Sequence, residues 1–196
     1  MRSFVALLLS DPVREAVEAE IGRLRPLSRA VAWVPAANLH LTLRFLGDQT
    51  SERLQDVARA LVEPAAASTP FSMGLGGLGA FPSLDRPRIL WLGVTEGAAE
   101  VRGLQARVEA ALETCGVGRE ARSWHPHLTL GRILDQRRWR AAGAALGAAI
   151  ASAAVRPLGV VPVRAVSLMR SDLSPAGARY REIGCIPIGG PGFPEP

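Results

Sequence analysis

Two short strings in this chain pair a titratable base with a hydroxyl at the same spacing. His40-Leu41-Thr42-Leu43 reappears as His127-Leu128-Thr129-Leu130. The chain holds only three histidines, and two of them sit in this string. With so few His and Thr, one His-x-Thr is expected by chance on the order of 0.1 times. The match runs further, because Asp48-Gln49 and Asp135-Gln136 each follow eight residues after the motif histidine. The pattern is that of an internal duplication that kept its chemistry.

In a β-strand successive side chains alternate faces. His40 and Thr42 therefore share one face, and Leu41 and Leu43 the other. The same holds for His127 and Thr129 against Leu128 and Leu130. The leucines anchor each strand on a core. Each His and Thr stand about 7 Å apart along the backbone on the opposite face. Bringing the two strands together about a pseudo-two-fold axis converges two imidazoles and two hydroxyls. One imidazole can then take a proton while the other gives one. The threonine hydroxyls are neutral donors suited to phosphoryl oxygens. Such a site can run an in-line displacement at phosphorus without a metal.

A strand histidine with an ordinary hydrogen bond accounts for a single His-x-Thr, but not for a duplicated pair. A zinc site is the other chemistry weighed. His125 and His127 are i, i+2 on one strand face, and His40 could complete a three-histidine set. No carboxylate has matching ligand spacing, and zinc would leave Thr42 and Thr129 without a task. His125 is read as a cleft-edge or structural residue. No metal and no cofactor are expected.

The elements that must hold these motifs follow from hydrophobic spacing. Phe4–Leu9 reads as a buried strand, and Asp11-Pro12 opens a helix with Asp11 as N-cap. Val13, Val17, Ile21 and Leu24 mark that helix's buried face. Val31–Val34 is a short strand, Leu39–Leu46 the first motif strand, and Ser51–Val62 a helix. Phe71–Phe81 is a Gly-rich strand or strand pair, whose glycines mark bends or a close backbone approach. Ile89–Val94 is a strand, Ala98–Thr114 a helix, His127–Ile133 the second motif strand, and Arg137–Ala151 an Ala-rich helix. Val163–Met169 and Tyr180–Ile188 read as closing strands. The expected class is α+β, bilobal, with two antiparallel-rich sheets, outer helices and a central cleft carrying both motifs. Residues 1–188 form one such domain, and 189–196 a loose Gly/Pro-rich tail.

Composition bounds the partners. The net charge is +5, and all 23 basic residues are Arg. Arg suits phosphate and stacks on bases, although an Arg, Ala and Gly bias also follows from genome composition. A basic balance favours an anionic ligand. Cys115 and Cys185 have no metal-like spacing and read as free thiols in a reduced cytosol. The apolar run Phe4–Leu9 is too short for a signal peptide, and no run approaches about 18 apolar residues. A cytoplasmic monomer without a membrane partner is expected.

The paired motifs resemble the signature of the two-histidine phosphoesterases, in particular the bacterial and archaeal RNA 2′,3′-cyclic phosphodiesterases, also called 2′-5′ RNA ligases. Similar segments include Asn38–Gly47, Gly79–Pro82, Arg86–Gly93, His125–Arg132, Arg170–Leu173 and Gly177–Tyr180. The resemblance implies a bilobal fold in which the chain crosses between lobes. It implies hydrolysis of a terminal 2′,3′-cyclic phosphate to a 2′-phosphate, with reversible ATP-independent 2′-5′ joining as a second activity. His40 would be the proton donor and His127 the proton acceptor. Thr42 and Thr129 would hold the phosphate, and Arg132 would contact it. Arg44 matches a basic position of the family. The implied partner is an RNA with a 2′,3′-cyclic phosphate end, tRNA fragments among the RNAs considered. A small cyclic nucleotide is the alternative substrate, and a non-catalytic RNA-end binding protein the alternative class. Gly131 departs from the family's Ala-like residue. Phe81, Trp124 and Tyr180 could rim the cleft and stack a base, with core packing the plainer reading of each.

Overall fold

The computed structural model describes residues 1–121, 123–153, 156–174 and 177–190. Helical spacing of Val13, Val17, Ile21 and Leu24 yields helix α1 (Asp11–Leu24), with all four side chains buried. Ser10, not Asp11, takes the N-cap position, so the Asp11 carboxylate lies in the first turn, where the helix dipole favours it. The helix expected over 51–62 is divided into α2 (Ser51–Ala60) and α3 (Val62–Ala66). Pro64 explains the division, because its ring opposes the carbonyl four residues back, at the end of α2. Helix α4 (Ala98–Thr114) runs as expected. The Ala-rich segment forms two helices, α5 (Gln136–Ala142) and α6 (Ala144–Ser152), that meet at Gly143.

Among the described residues, nine strands accompany these helices: β1 (Arg2–Leu8), β2 (Val31–Trp33), β3 (His40–Asp48), β4 (Phe71–Phe81), β5 (Ile89–Glu96), β6 (His127–Ile133), β7 (Pro157–Val163), β8 (Ala165–Ser174) and β9 (Gly177–Pro187). Sequence pattern does not reveal β7, since two prolines and a glycine interrupt it. It pairs only with β4, at a sheet edge where proline is tolerated.

The two expected sheets are hydrogen-bonded into one antiparallel, curled sheet. Its order is β7-β4-β5-β6-β3-β1-β8-β9, with β2 added to β6. The motif strands β6 and β3 are the central neighbours, with three further strands of the order on either side. Helices cover one face: α1 packs on β7, α6 on β4, α4 on β3 and α3 on β9. α1 thus leaves β1 and packs in the opposite half of the sheet, while α4 leaves β5 and packs on β3. The halves of the sheet are therefore not the halves of the sequence.

The core lies between the helices and this face. Val5, Leu7, Leu41, Leu43, Leu128 and Leu130 enter it from the sheet, each almost fully buried. Truncating such a leucine to alanine costs about 2–5 kcal/mol, so the motif leucines fix strand position as well as stability. The other face carries a smaller apolar cluster of Phe4, Ala6 and Met169, with Leu8 and Tyr180 against it.

Close approaches over Gly79 and Gly131 set neighbouring strands and rings around the motif strands. A Cβ on Gly79 would sit 2.2 Å from Trp91 Cζ2, so the indole lies flat over β4. A Cβ on Gly131 would sit 2.6 Å from Val31 Cγ1, so the missing side chain admits β2 against β6. Of the expected loose tail, Gly189 is tied down by its N–H to the Ala65 carbonyl (3.0 Å). Residues 191–196 lie outside the described residues. Among the described residues, no helix is long and apolar enough to cross a membrane.

Candidate active site

The motif strands meet through one antiparallel residue pair, Leu41 with Leu128. Counting outward from that pair sets His40 across from Thr129, and Thr42 across from His127. All four are half-buried, on the face away from the helices. Because ladder pairing stops at the single Leu pair, the strands part on each side of it.

Both imidazoles are held the same way. His40 Nδ1 lies 2.8 Å from the carbonyl of Asn38, and His127 Nδ1 lies 2.7 Å from the carbonyl of His125. A carbonyl only accepts, so each Nδ1 carries the proton and donates it. Nε2 is then the exchangeable nitrogen in both motifs. In His40 it lies 3.0 Å from the Thr42 hydroxyl, which donates to it when the ring is neutral.

The surroundings differ. Phe4 stacks on His40 with ring centroids 4.6 Å apart, and Tyr180 meets it edge-on at 5.3 Å. Phe81 meets His127 edge-on at 5.0 Å and lies 5.2 Å from Trp91. Burial lowers the pKa of both histidines below the ordinary imidazole value, opposed in each by the backbone carbonyl bond. The positive charges of His125 and Arg132 lower His127 further.

Arg132 reaches this face through a break in alternation. In β6, Thr129 pairs with Trp91 and Gly131 with Leu90, so Leu130 is an extra residue. In β3, Thr42 pairs with Ala6 and Arg44 with Val5, so Leu43 is an extra residue. Each bulge comes three residues after the motif histidine. Strict alternation would have sent Arg132 into the core, but the bulge returns it to the face of His127. The same shift brings Phe45 to the corresponding place in β3, where it is 59% exposed and 6.2 Å from Phe4. Sequence reasoning misses Phe45. No local sequence signal marks it, because Arg44, the second of two consecutive buried residues, reads as a surface residue in the sequence.

The sheet thus brings His40, Thr42, His127, Thr129 and Arg132 together on one face. Arg44 lies on the other, buried against α4. Its guanidinium pairs with Glu109 (3.2 Å) and Glu120 (3.3 Å) and donates to the Gly118 carbonyl. Its role is to hold the loop after α4. Trp124 offers its indole N–H to the Thr42 carbonyl (3.1 Å), which secures the motif backbone. Phe81 and Tyr180 pack on the motif imidazoles. His125 is exposed, its ring 6.2 Å from Phe81. Among the described residues, no three His, Cys, Asp or Glu converge as metal ligands. Two surface hollows, of about 390 and 330 Å³, lie elsewhere, against α1 and β7 and beside α4.

The mixed α/β architecture with a curled antiparallel sheet is shared with solved structures. The protein TT0787 of Thermus thermophilus matches with a TM-score of 0.73 at 30% identity, covering 98% of this chain and all of that one. E. coli LigT complexed with 3′-AMP shares the fold at a TM-score of 0.75 and 23% identity, covering 95% of this chain and 97% of that one. The RNA 2′,3′-cyclic phosphodiesterase of Aquifex aeolicus is 30% identical over 97% of this chain and 98% of its own length. A model of the 2′-5′ RNA ligase superfamily matches residues 13–175. The chain belongs to the 2′-5′ RNA ligase superfamily.

Proposed function

We propose that this protein is an RNA 2′,3′-cyclic phosphodiesterase that opens a terminal cyclic phosphate to a 2′-phosphate by two-histidine acid–base catalysis, without a metal. The observation that carries the reading is the matched presentation of two Nε2 atoms, each fixed by a carbonyl two residues upstream, beside two threonine hydroxyls. The equal bulges and equal strand numbers either side of β3 and β6 support a pseudo-two-fold axis through the Leu41–Leu128 pair.

In the reaction, water attacks phosphorus opposite O3′. His127 Nε2 takes a proton from that water as the new P–O bond forms. His40, protonated on both nitrogens, gives its Nε2 proton to O3′ as the P–O3′ bond breaks. One water is consumed, and the phosphate stays on O2′. Solvent then removes the proton from His127 and restores the one on His40. Thr42, Thr129 and Arg132 stabilise charge on the non-bridging oxygens. With a 5′-hydroxyl end in place of water as the attacking group, the same groups would join RNA ends 2′-5′, and the reverse of that step would return the cyclic phosphate and the 5′-hydroxyl. Burial first, and then the charges of His125 and Arg132, disfavour protonation of His127, which suits the acceptor role. The likeness of this chain to the RNA 2′,3′-cyclic phosphodiesterases of Aquifex aeolicus and Aeropyrum pernix supports the substrate class.

Phe45 and Arg132 flank the motifs from corresponding positions. An exposed aromatic face and a guanidinium plane there suit the two sides of a terminal nucleobase. We read the working form as a monomer, and the free thiols Cys115 and Cys185 suit a reducing cytoplasm.

The test is turnover after exhaustive EDTA treatment, comparing an oligonucleotide and a mononucleotide that both end in a 2′,3′-cyclic phosphate. Full activity with a higher kcat/KM on the oligonucleotide is expected. Activity lost in EDTA and restored by zinc would establish the three-histidine metal reading. Preference for the mononucleotide would establish the small cyclic nucleotide as substrate, and binding without turnover an RNA-end binding protein.

A further inference from the structure

The two motifs are alike in their own residues but not in what holds them. His127 takes its carbonyl from His125, whose side chain is exposed. His40 takes its carbonyl from Asn38, and the Asn38 side chain reaches across to a distant strand. Its Nδ2 donates to the Ala178 carbonyl of β9 at 2.7 Å. Two residues on, Tyr180 leans its ring edge-on against His40. Phe4 closes the group, stacked on His40 and edge-on to Tyr180 at 5.0 Å. Phe4 is only 3% exposed, so its ring is a fixed backstop. β8 and β1 separate β9 from β3 in the sheet. The curl of the sheet is what brings the β8–β9 hairpin back to the first motif.

The imidazole plane of His40 is therefore set by four contacts: the Asn38 carbonyl on Nδ1, the Thr42 hydroxyl at Nε2, Phe4 on one face and Tyr180 at an edge. Two of the four depend on the hairpin, directly through Tyr180 and through the Asn38–Ala178 bond. His127 also meets a ring from a non-adjacent strand, Phe81 of β4, but its carbonyl partner His125 has an exposed side chain. We propose that the β8–β9 hairpin orients His40 through Asn38 and Tyr180, which act as positioning residues for the proton donor. This rests on the donor role assigned to His40 above. A proton donor must meet the leaving oxygen within hydrogen-bond reach, and misplacement near 1 Å costs about 10²-fold in rate. The hairpin contributes by removing ring rotations that would aim Nε2 elsewhere. The ring of Tyr180, not its hydroxyl, does this.

Of the side chains in ring or hydrogen-bond contact with His40 among the described residues, namely Phe4, Thr42 and Tyr180, none is a carboxylate or a cation. Burial by these rings is the main cause that lowers its pKa. Loosening the hairpin should therefore raise the His40 pKa toward the ordinary value and leave His127 unchanged.

The experiment combines kinetics with NMR titration of the ring protons, which three histidines make tractable; a His125→Asn variant assigns the third. Asn38→Ala and Tyr180→Ala should each lower kcat between about 10- and 100-fold, with KM changed less than about twofold. In both, the His40 titration should move up while His127 stays, which also reports an intact fold. Tyr180→Phe should behave as the unaltered protein in both measurements. Should Tyr180→Ala fail to fold, Tyr180→Leu takes its place. Unchanged kcat and unchanged His40 titration in the Asn38 and Tyr180 variants overturns the proposal. So does a Tyr180→Phe loss equal to that of Tyr180→Ala, which would make the hydroxyl a substrate contact. If the unaltered protein opens no cyclic phosphate, the proposed function fails, while the His40 titration still decides whether the hairpin holds the ring.

Discussion

Replacing either motif histidine with alanine is expected to lower turnover by roughly 10²–10⁴-fold, the range that general acid or base catalysis supplies. Both losses should be of this order, because each ring serves one proton transfer and neither can stand in for the other across the phosphorus. The pH profile gives the sharper signature. The active form has one imidazole protonated and one neutral, so kcat/KM is bell-shaped. Both histidines are held below the ordinary imidazole value of about 6.5 by burial. A lowered pKa means each ring loses its proton earlier as pH rises. The singly protonated form, and with it kcat/KM, therefore peaks below pH of about 6.5. In the complex the anionic phosphate favours imidazolium, so the kcat optimum should lie above the kcat/KM optimum. His40→Ala should remove the alkaline limb, and His127→Ala the acid limb. His125→Ala should keep both. An alanine variant with near-full activity takes that histidine out of the mechanism, and a kcat/KM optimum above neutrality contradicts the burial account.

Removing a threonine hydroxyl should be nearly as costly. Thr42→Val and Thr129→Val keep the side-chain shape and delete a neutral donor aimed at the phosphate. Losing one such donor costs about 10²–10³-fold in kcat elsewhere. The two should not behave alike. In the ligand-free protein the Thr42 hydroxyl is engaged with His40 Nε2. It must leave that nitrogen when the donor proton and the phosphate arrive. Thr42→Val therefore removes both a phosphate contact and a restraint on His40, whereas Thr129→Val removes the phosphate contact alone. Serine at either position restores the donor and should recover most of the activity. Single-turnover rates with a cyclic-phosphate-ended oligonucleotide check this, and valine variants at the unaltered rate would remove the threonines from the phosphate site.

Much of the site is legible in the sequence because its signal is local. Strand alternation alone assigns His40, Thr42, His127 and Thr129 to one face and their leucines to the core, and the leucines are buried. What stays hidden depends on register. The bulges at Leu43 and Leu130 are set by how β3 meets β1 and how β6 meets β5, and no local periodicity encodes a partner strand. Family likeness points to Arg132 but not to the reason it shares the face of His127, and Phe45 escapes notice for the same cause. Arg44, read as a family basic position, is drawn into the core by the bulge and neutralised by Glu109 and Glu120. The merging of two expected sheets into one likewise turns on a single long-range pair, Leu41 with Leu128. Edge strand β7 is lost because prolines and glycine mask its pattern, although the sheet edge accepts them.

The central claim is a fixed line of proton transfer across one phosphorus atom. Its most direct test is the linkage of the product phosphate. An RNA ending in a 2′,3′-cyclic phosphate is opened by the protein in EDTA, and the product is treated with a phosphatase specific for 3′-phosphates. With His40 serving O3′ and His127 serving the attacking water, the phosphate stays on O2′, and the phosphatase should release none. A terminal 3′-phosphate, or an even mixture of the two, would contradict both the bound orientation and the assignment of His40 as donor.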